Sequence, residues 1–504
     1  MRSPWFRPAS SGRPRRWSRV GACLALAAGL AGCGEGVVAP EVSPELPRYW
    51  REAPRASAAE LRGDWVAGFG SIELSRLVAL ADLDNLDIAA ARARIEQAEA
   101  QTAITAAGLT PTVSGSGEAA HSVSPGTNSS SSPPFKSRVG NSYQLGLGAS
   151  WTIDLWGRVR ANVAASEASL AAVRIDLEAV RLATATALVD AYLQASAAED
   201  RLRLAREDVA IAERTYGAIR RRFDVGTVTA LDVAQQEGVL ATQRAAIPDL
   251  EISLRQTRNA VVVLTGRAPE AATIRGGGLG RLRLPKVAPG LPSRLLVRRP
   301  DLAAAEMRLA AAAANVEAAR AAFLPEVALT GSAGLSSAFL KNLLRPEAFA
   351  GSIAAGVTES IFDGGAREGR LALGRAQHAE LVAGYRKAVH EALADVENAL
   401  VAVEQNRRRE ALQTAVVEAA RKAQRLTEQR LSEGTIAITT VLDAQRTLFQ
   451  AEETLVAVRL ARYRATVSLV AALGGGWTRA VDGRTPETTA AAGGPMVLGG
   501  TEPR

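Results

Sequence analysis

Residues 143–154 read YQLGLGASWTID. The odd positions hold Tyr143, Leu145, Leu147, Ala149, Trp151 and Ile153, and the even ones Gln144, Gly146, Gly148, Ser150, Thr152 and Asp154. A helix scatters such an alternation around its circumference. A strand sorts it into one apolar and one polar face, so the stretch predicts a β-strand. Its dozen residues cover the roughly 9–11 that a tilted membrane-crossing strand needs. Tyr143 and Trp151 stand on the apolar face, where interfacial anchors belong. A soluble two-stranded ribbon is the other structure this pattern allows.

Three further stretches carry the same period. Thr112–Ser122 pairs with the first less clearly, across the Ser/Pro/Gly-rich loop SVSPGTNSSSSPPFKSRVGNS. Val327–Leu335 places Val327, Leu329, Gly331, Ala333 and Leu335 on one face. Ile353–Ile361 does so with Ile353, Ala355, Val357 and Ile361, interrupted by Glu359.

The rest is helical. No proline occurs between Pro134 and Pro248 or between Pro346 and Pro486, spans far beyond an ordinary helix. One helix is expected over Ile72–Ala107, ended by Pro111, and one over Gly157–Phe223, about 100 Å long at 1.5 Å per residue. Gly226 turns the chain into Leu231–Leu264, with a kink expected at Pro248. Asp301–Phe323 is ended by Pro325. Ala366–Glu433 turns at Gly434 and returns to Leu473. Pro111 and Pro325 lie 214 residues apart; Gly157 and Gly365, like Gly226 and Gly434, lie 208 apart. Three landmarks at nearly one spacing indicate an internal duplication. The chain therefore divides into 72–264 and 301–477, two repeats of helix, β-hairpin and long helical hairpin, joined by a Gly/Pro-rich linker over 265–300.

The return from Gly434 to Trp477 carries two apolar rows. Val441, Ala444, Leu448, Ala451, Leu455 and Val458 alternate by three and four, while Leu442, Phe449, Val456, Tyr463 and Val470 step by seven beside them. One seam serves one partner. Two adjacent seams predict neighbours on both sides, as in the wall of a helical cylinder; a wide apolar face in an ordinary bundle is the alternative.

The formal charge of +8 over 504 residues does not indicate a nucleic-acid partner. Arg2, Arg7, Arg13, Arg15, Arg16 and Arg19 precede a short apolar run from Val20, and without these six the balance falls from +8 to +2. The run leads into Leu30-Ala31-Gly32-Cys33, which resembles a bacterial lipobox, so 1–32 is read as a lipoprotein signal peptide and Cys33 as the site of covalent lipid. With Cys23 removed and Cys33 acylated, no thiol remains for a disulfide or metal site. Residues 33–71, rich in proline near their start, are read as a tether, and 478–504 as a mobile tail. By resemblance to bacterial sorting rules, Gly34 favours the outer membrane. No apolar run after Cys33 is long enough for a transmembrane helix.

Four strands cannot close a barrel, because single-chain membrane barrels start at about eight. An open edge in lipid leaves unpaired backbone groups, each costing several kcal/mol. The chain must then share its barrel with copies of itself: two would supply eight strands and three would supply twelve.

The chain closely resembles the outer-membrane efflux protein family, TolC-like, in its NodT-type lipoprotein branch. The residues carrying the resemblance are Cys33 in its lipobox, IDLWGRVR at 153–160, GTVTALDVAQQE at 226–237, TGRAPE at 265–270 and LPSRLLVRRPDLAAAEMRLAAAAANVEAARAAFLPEVALTGSAG at 291–334. IFDGGAR at 361–367, GTIAITTVLDAQRTL at 434–448 and ALGGGW at 472–477 complete the set. The resemblance implies a homotrimer whose twelve-stranded β-barrel, four strands per chain, continues into a long periplasmic α-helical barrel. It implies a periplasmic adaptor and an inner-membrane RND-type pump as partners, and a passive channel for drugs or other small solutes. The hairpin turns at Gly226 and Gly434 would form the tunnel tip. In the family an acidic residue of the VLDAQ segment projects into the constriction; here it is Asp443. Thr439 and Thr440 stand where relatives carry an apolar gating residue and a further acid, a departure that bears on how tightly the aperture closes. Asp443 could instead be a helix-cap or interhelical carboxylate.

Nothing points to catalysis. His121, His378 and His390 include no pair at zinc-ligand spacing, and GGGLG at 276–280 lacks the lysine and strand-to-helix context of a phosphate loop. No cofactor beyond the lipid is expected. The competing reading is a periplasmic coiled-coil adaptor lipoprotein without a pore, which has no need of lipid-facing strands.

Overall fold

The computed structural model describes residues 46–53, 64–124, 138–271 and 273–479. The signal peptide, Cys33, most of the first hairpin loop and nearly all of the tail lie outside these. In chain order the helices are α1 (Ile72–Asp84) and α2 (Leu86–Ala107), then, after strands β1 (Thr112–Ser124) and β2 (Arg138–Ile153), α3 (Arg158–Asp224) and α4 (Ala230–Leu264). A short α5 (Leu295–Arg298) and α6 (Pro300–Ala321) precede β3 (Glu326–Ser337) and β4 (Phe349–Thr358). The chain then closes with α7 (Ala366–Ser432) and α8 (Ile438–Ala472).

The strands form one antiparallel sheet in the order β1-β2-β3-β4. Its register carries the period-2 pattern from strand to strand. Leu145 pairs with Leu335, which pairs with Phe349; Ile153 pairs with Val327, which pairs with Val357. The opposite face is built of small polar residues, with Ser332 and Ser352 hydroxyls 2.9 Å apart and Thr112 and Ser150 hydroxyls 2.8 Å apart. One face is suited to lipid and the other to water, which is the arrangement of a membrane barrel wall. Trp151 Nε1 donates to Leu109 O at 3.1 Å, anchoring the foot of β2 to the turn that precedes β1. Strand β4 begins four residues before the expected Ile353 and stops before Glu359. Glu359 leaves the ladder to pair with Arg367 at 2.6 Å, and Ile361 beyond it is 97 % exposed.

The duplication is carried into element lengths: α2 and α6 have 22 residues each, α3 and α7 have 67, and α4 and α8 have 35. Alanines on the buried faces, among them Ala165, Ala172, Ala205, Ala212 and Ala392, let these long helices approach closely. Each strand-to-helix junction uses an aspartate to satisfy orphan N–H groups. Asp154 accepts from Val159 N and Arg160 N at 3.0 and 2.9 Å, and Asp363 accepts from Gly365 N and Arg367 N at 3.0 and 3.1 Å. Both seams of α8 are used. Leu448, Ala451 and Leu455 pack on Val417 and Ala420 of α7. On the other side, Val456, Tyr463 and Val470 join Leu188, Val189 and Tyr192 of α3 in the main core.

Two expectations are corrected. The helix expected over Ile72–Ala107 is broken at Asn85, whose side chain caps α2 by accepting from Asp87 N and Ile88 N. The same side chain donates to Leu264 O at 2.8 Å. A polar residue in a helical pattern thus serves as a buried N-cap and a tie to the end of α4. The tether is partly built into the core: Trp50 is 2 % exposed and donates from Nε1 to Gly290 O. Further along it, Trp65 and Phe69 pack edge to face at 6.2 Å. Aromatic side chains of this size bury whenever an apolar surface is within reach.

The ends of α4 and α8 are fixed by a close backbone approach. Gly266 and Gly474 have φ of +78° and +84°, and a Cβ at either would lie 2.0 Å from a carbonyl oxygen, that of Asp84 or of Arg298. Gly266→Ala or Gly474→Ala should each destabilise the protein by more than about 3 kcal/mol, combining left-handed strain with a backbone clash. Gly384→Ala, with open space around it, should be neutral or stabilising. Thermal unfolding in detergent checks this, and equal midpoints for Gly474→Ala and Gly384→Ala would contradict it.

Candidate functional site

Gly226 and Gly434 lie where the expected turns require them, and the two turns are built alike. Each glycine takes a left-handed φ, +77° and +76°. Thr227 bonds Arg222 O through both N and Oγ1 at 2.9 Å; Thr435 does the same to Arg430 O at 3.0 and 3.1 Å. Arg222 also reaches across, donating from Nη1 to Leu431 O at 2.7 Å. Ile219, Val233, Ile438 and Leu442 fill the space behind, so the two tips of one chain form one packed unit. The sequence reading missed this tie; its only signal is the arginine-rich run before Gly226.

The helices that return from the tips differ. At the start of α4, Thr229 and Asp232 form a reciprocal capping box. At the start of α8 the N-cap is Ala437, with no side-chain bond. A cap of this kind is worth about 1 kcal/mol, so the second tip is the less securely wound.

Thr439, Thr440 and Asp443 follow on the first turns of α8, all exposed. The Asp443 side chain is 76 % exposed and 3.9 Å from Arg446 Nη1 of its own helix. Among the described residues of a single chain it caps no helix and bonds to no other helix. Steps of three and four carry the same exposed face on through Arg446, Gln450 and Glu453.

The opposite face holds α8 against its neighbours. Buried Gln445 donates to Thr215 Oγ1 at 2.9 Å, and buried Gln236 of α4 donates to Ala212 O at 3.0 Å, so both return helices are tied to α3. Higher up, Glu410 of α7 accepts from Arg459 at 3.1 Å and Arg462 at 2.7 Å, and Arg421 bonds Glu452 at 2.7 Å. Cys33 lies outside the described residues. Among the described residues no group of acidic, histidine or cysteine side chains is arranged to hold a metal ion, and no helix is long and apolar enough to cross a membrane.

The family model for the outer membrane efflux protein matches residues 77–267 and 291–475, one segment for each half. The chain is 34 % identical to the pyoverdine export outer membrane protein OpmQ of Pseudomonas putida, across 87 % of this chain and 93 % of the relative. It is 35 % identical to the outer membrane protein OprJ of Pseudomonas aeruginosa, across 84 % and 88 %. Among solved structures, the open state of the Neisseria gonorrhoeae MtrE outer membrane channel superimposes with a TM-score of 0.77 at 29 % identity, covering 87 % of this chain and 97 % of that one. The lipid- and water-facing sheet, the paired hairpins and these likenesses agree. The chain belongs to the outer membrane efflux protein family, and it is an outer-membrane channel component of a tripartite efflux system.

Proposed function

We propose that three copies of this chain close a twelve-stranded barrel in the outer membrane and align their paired hairpins below it as a periplasmic tunnel. One observation carries the reading. Strands β1 and β4, at the two edges of the sheet, have no partner among the described residues. In lipid such an edge is untenable, and pairing β1 of one chain with β4 of the next removes it. Four strands from each of three chains give a pore wide enough for bulky solutes, where eight would leave an interior filled by side chains.

In this reading the tips at Gly226 and Gly434 form the tunnel entrance. Asp443, exposed beside Thr439 and Thr440, contributes to a ring of three carboxylates that favours cations. The uncapped start of α8 makes the second hairpin the one that moves when the entrance opens. A periplasmic adaptor and an inner-membrane RND-type pump dock from below and supply the energy; the chain itself performs no chemical step. Lipid on Cys33 holds the N-terminus to the membrane. The competing adaptor reading loses its ground, because an adaptor without a pore has no use for a four-stranded sheet with one lipid-compatible face.

Three outcomes follow. Detergent extracts of the outer-membrane fraction should contain a trimer that migrates more slowly before boiling than the single chain it yields after, and recovery of a monomer released without detergent would sink the proposal. Asp443→Ala should reduce the cation preference of the reconstituted pore, read as a smaller reversal potential under a salt gradient; an unchanged potential would remove Asp443 from the constriction. Ala437→Asp should supply the missing cap, stabilise the first turn of α8 by about 1 kcal/mol and lower the open fraction in single-channel recordings. An open fraction equal to wild type would dissociate winding of that turn from gating.

A further inference from the structure

Between α3, α4 and α8 lies a recess of about 390 Å³, a volume at the small end of organic-ligand sites. Its apolar part is Leu204, Leu250 and Phe449; its charged lining includes Asp208, Asp249 and Glu453. Asp208 is only 7 % exposed, yet its Oδ1 has no hydrogen-bond partner. A buried acceptor left unbonded costs about 1–3 kcal/mol, and more when charged, so this oxygen calls for an N–H donor.

Among the described residues none bonds it. Burial, and then the negative charges of Glu452 and Glu453 on α8 and Glu207 on α3, push the Asp208 carboxyl up to about 7. Asp249 adds a further carboxylate from α4. From α7, Arg421 is engaged with Glu452. Arg201 and Arg446 also line the recess, but Arg446 projects toward solvent near Asp443 and Arg201 Nε is itself buried and unbonded.

We infer that this recess binds small organic cations, with N–H groups of the cation bonding Asp208 and its apolar body resting on Leu204, Leu250 and Phe449. The recess opens on the same face of α8 as Asp443. Glu453 lies ten residues further along that face, about 15 Å at the helical rise. If Asp443 lines the tunnel entrance, as proposed above, the recess is a second station for cationic solutes just inside it; the binding itself does not depend on that reading.

Protonation of Asp208 competes with the cation. Affinity should therefore fall about tenfold for each pH unit below about 7 and level off above it. The experiment is calorimetric titration of the detergent-solubilised full-length protein with benzamidine, a planar aromatic cation, and with benzamide, its neutral counterpart. Benzamidine should bind with this pH profile and benzamide should not bind. Asp208→Asn, which replaces a buried charge by a neutral side chain of the same shape, should weaken binding at pH 8 by about tenfold or more and flatten the profile. Glu453→Gln should weaken it less. The inference is overturned by wild-type affinity in Asp208→Asn, by a pH-independent wild-type curve, or by no binding up to about 10 mM. No flux is measured, so a trimer that is recovered but fails to bind benzamidine refutes the recess and leaves the channel standing.

Discussion

A polypeptide backbone cannot present bare N–H and C=O groups to hydrocarbon, and the architecture of this chain follows from that constraint. Its four strands satisfy one another internally and leave β1 and β4 open on opposite sides. The alternation that makes one face apolar, from Leu145 through Leu335 to Phe349, commits the sheet to the membrane and thereby makes those edges intolerable. In the proposed trimer, pairing of those edges between copies is part of the fold rather than an addition to it. The two longest helices inherit the arrangement, since α3 and α7 each leave the sheet through an aspartate-capped junction that fixes where the helical wall begins.

Most of this was legible in the sequence because it rests on periodicity. A strand's period of two and a helix's spacing of three and four are visible without knowing what packs against them. The two seams of the last helix could be assigned to two neighbours before either was located. Gly226 and Gly434 were legible for a related reason: only a break in a very long pattern needs explaining, and glycine explains it.

What escaped the reading depends on distance in space. Asn85 looks like one polar residue in a helix of many; its role is set by the carbonyl of Leu264, 179 positions away. Trp50 looks like part of a proline-rich tether until Gly290, the middle of α7 and the end of α8 are brought beside it. Arg222 is one arginine among three until the second hairpin comes alongside and offers Leu431 O. Asp208 is unremarked on a polar helix face until Glu452 and Glu453 arrive from α8. In each case the residue type was visible and its partner was not.

Three helices match between the two halves, with 22, 67 and 35 residues in each, while the landmark spacing drops from 214 to 208 across the β-hairpins. Six residues have been gained or lost in the sheet and its loops, and none in these three helices. The helical part behaves as a ruler. One inserted residue would rotate every later side chain by about 100° and dislodge it from both seams at once. Adaptation of the molecule to new surroundings is therefore channelled to its outer end, and the distance it spans beneath the membrane is fixed in whole turns.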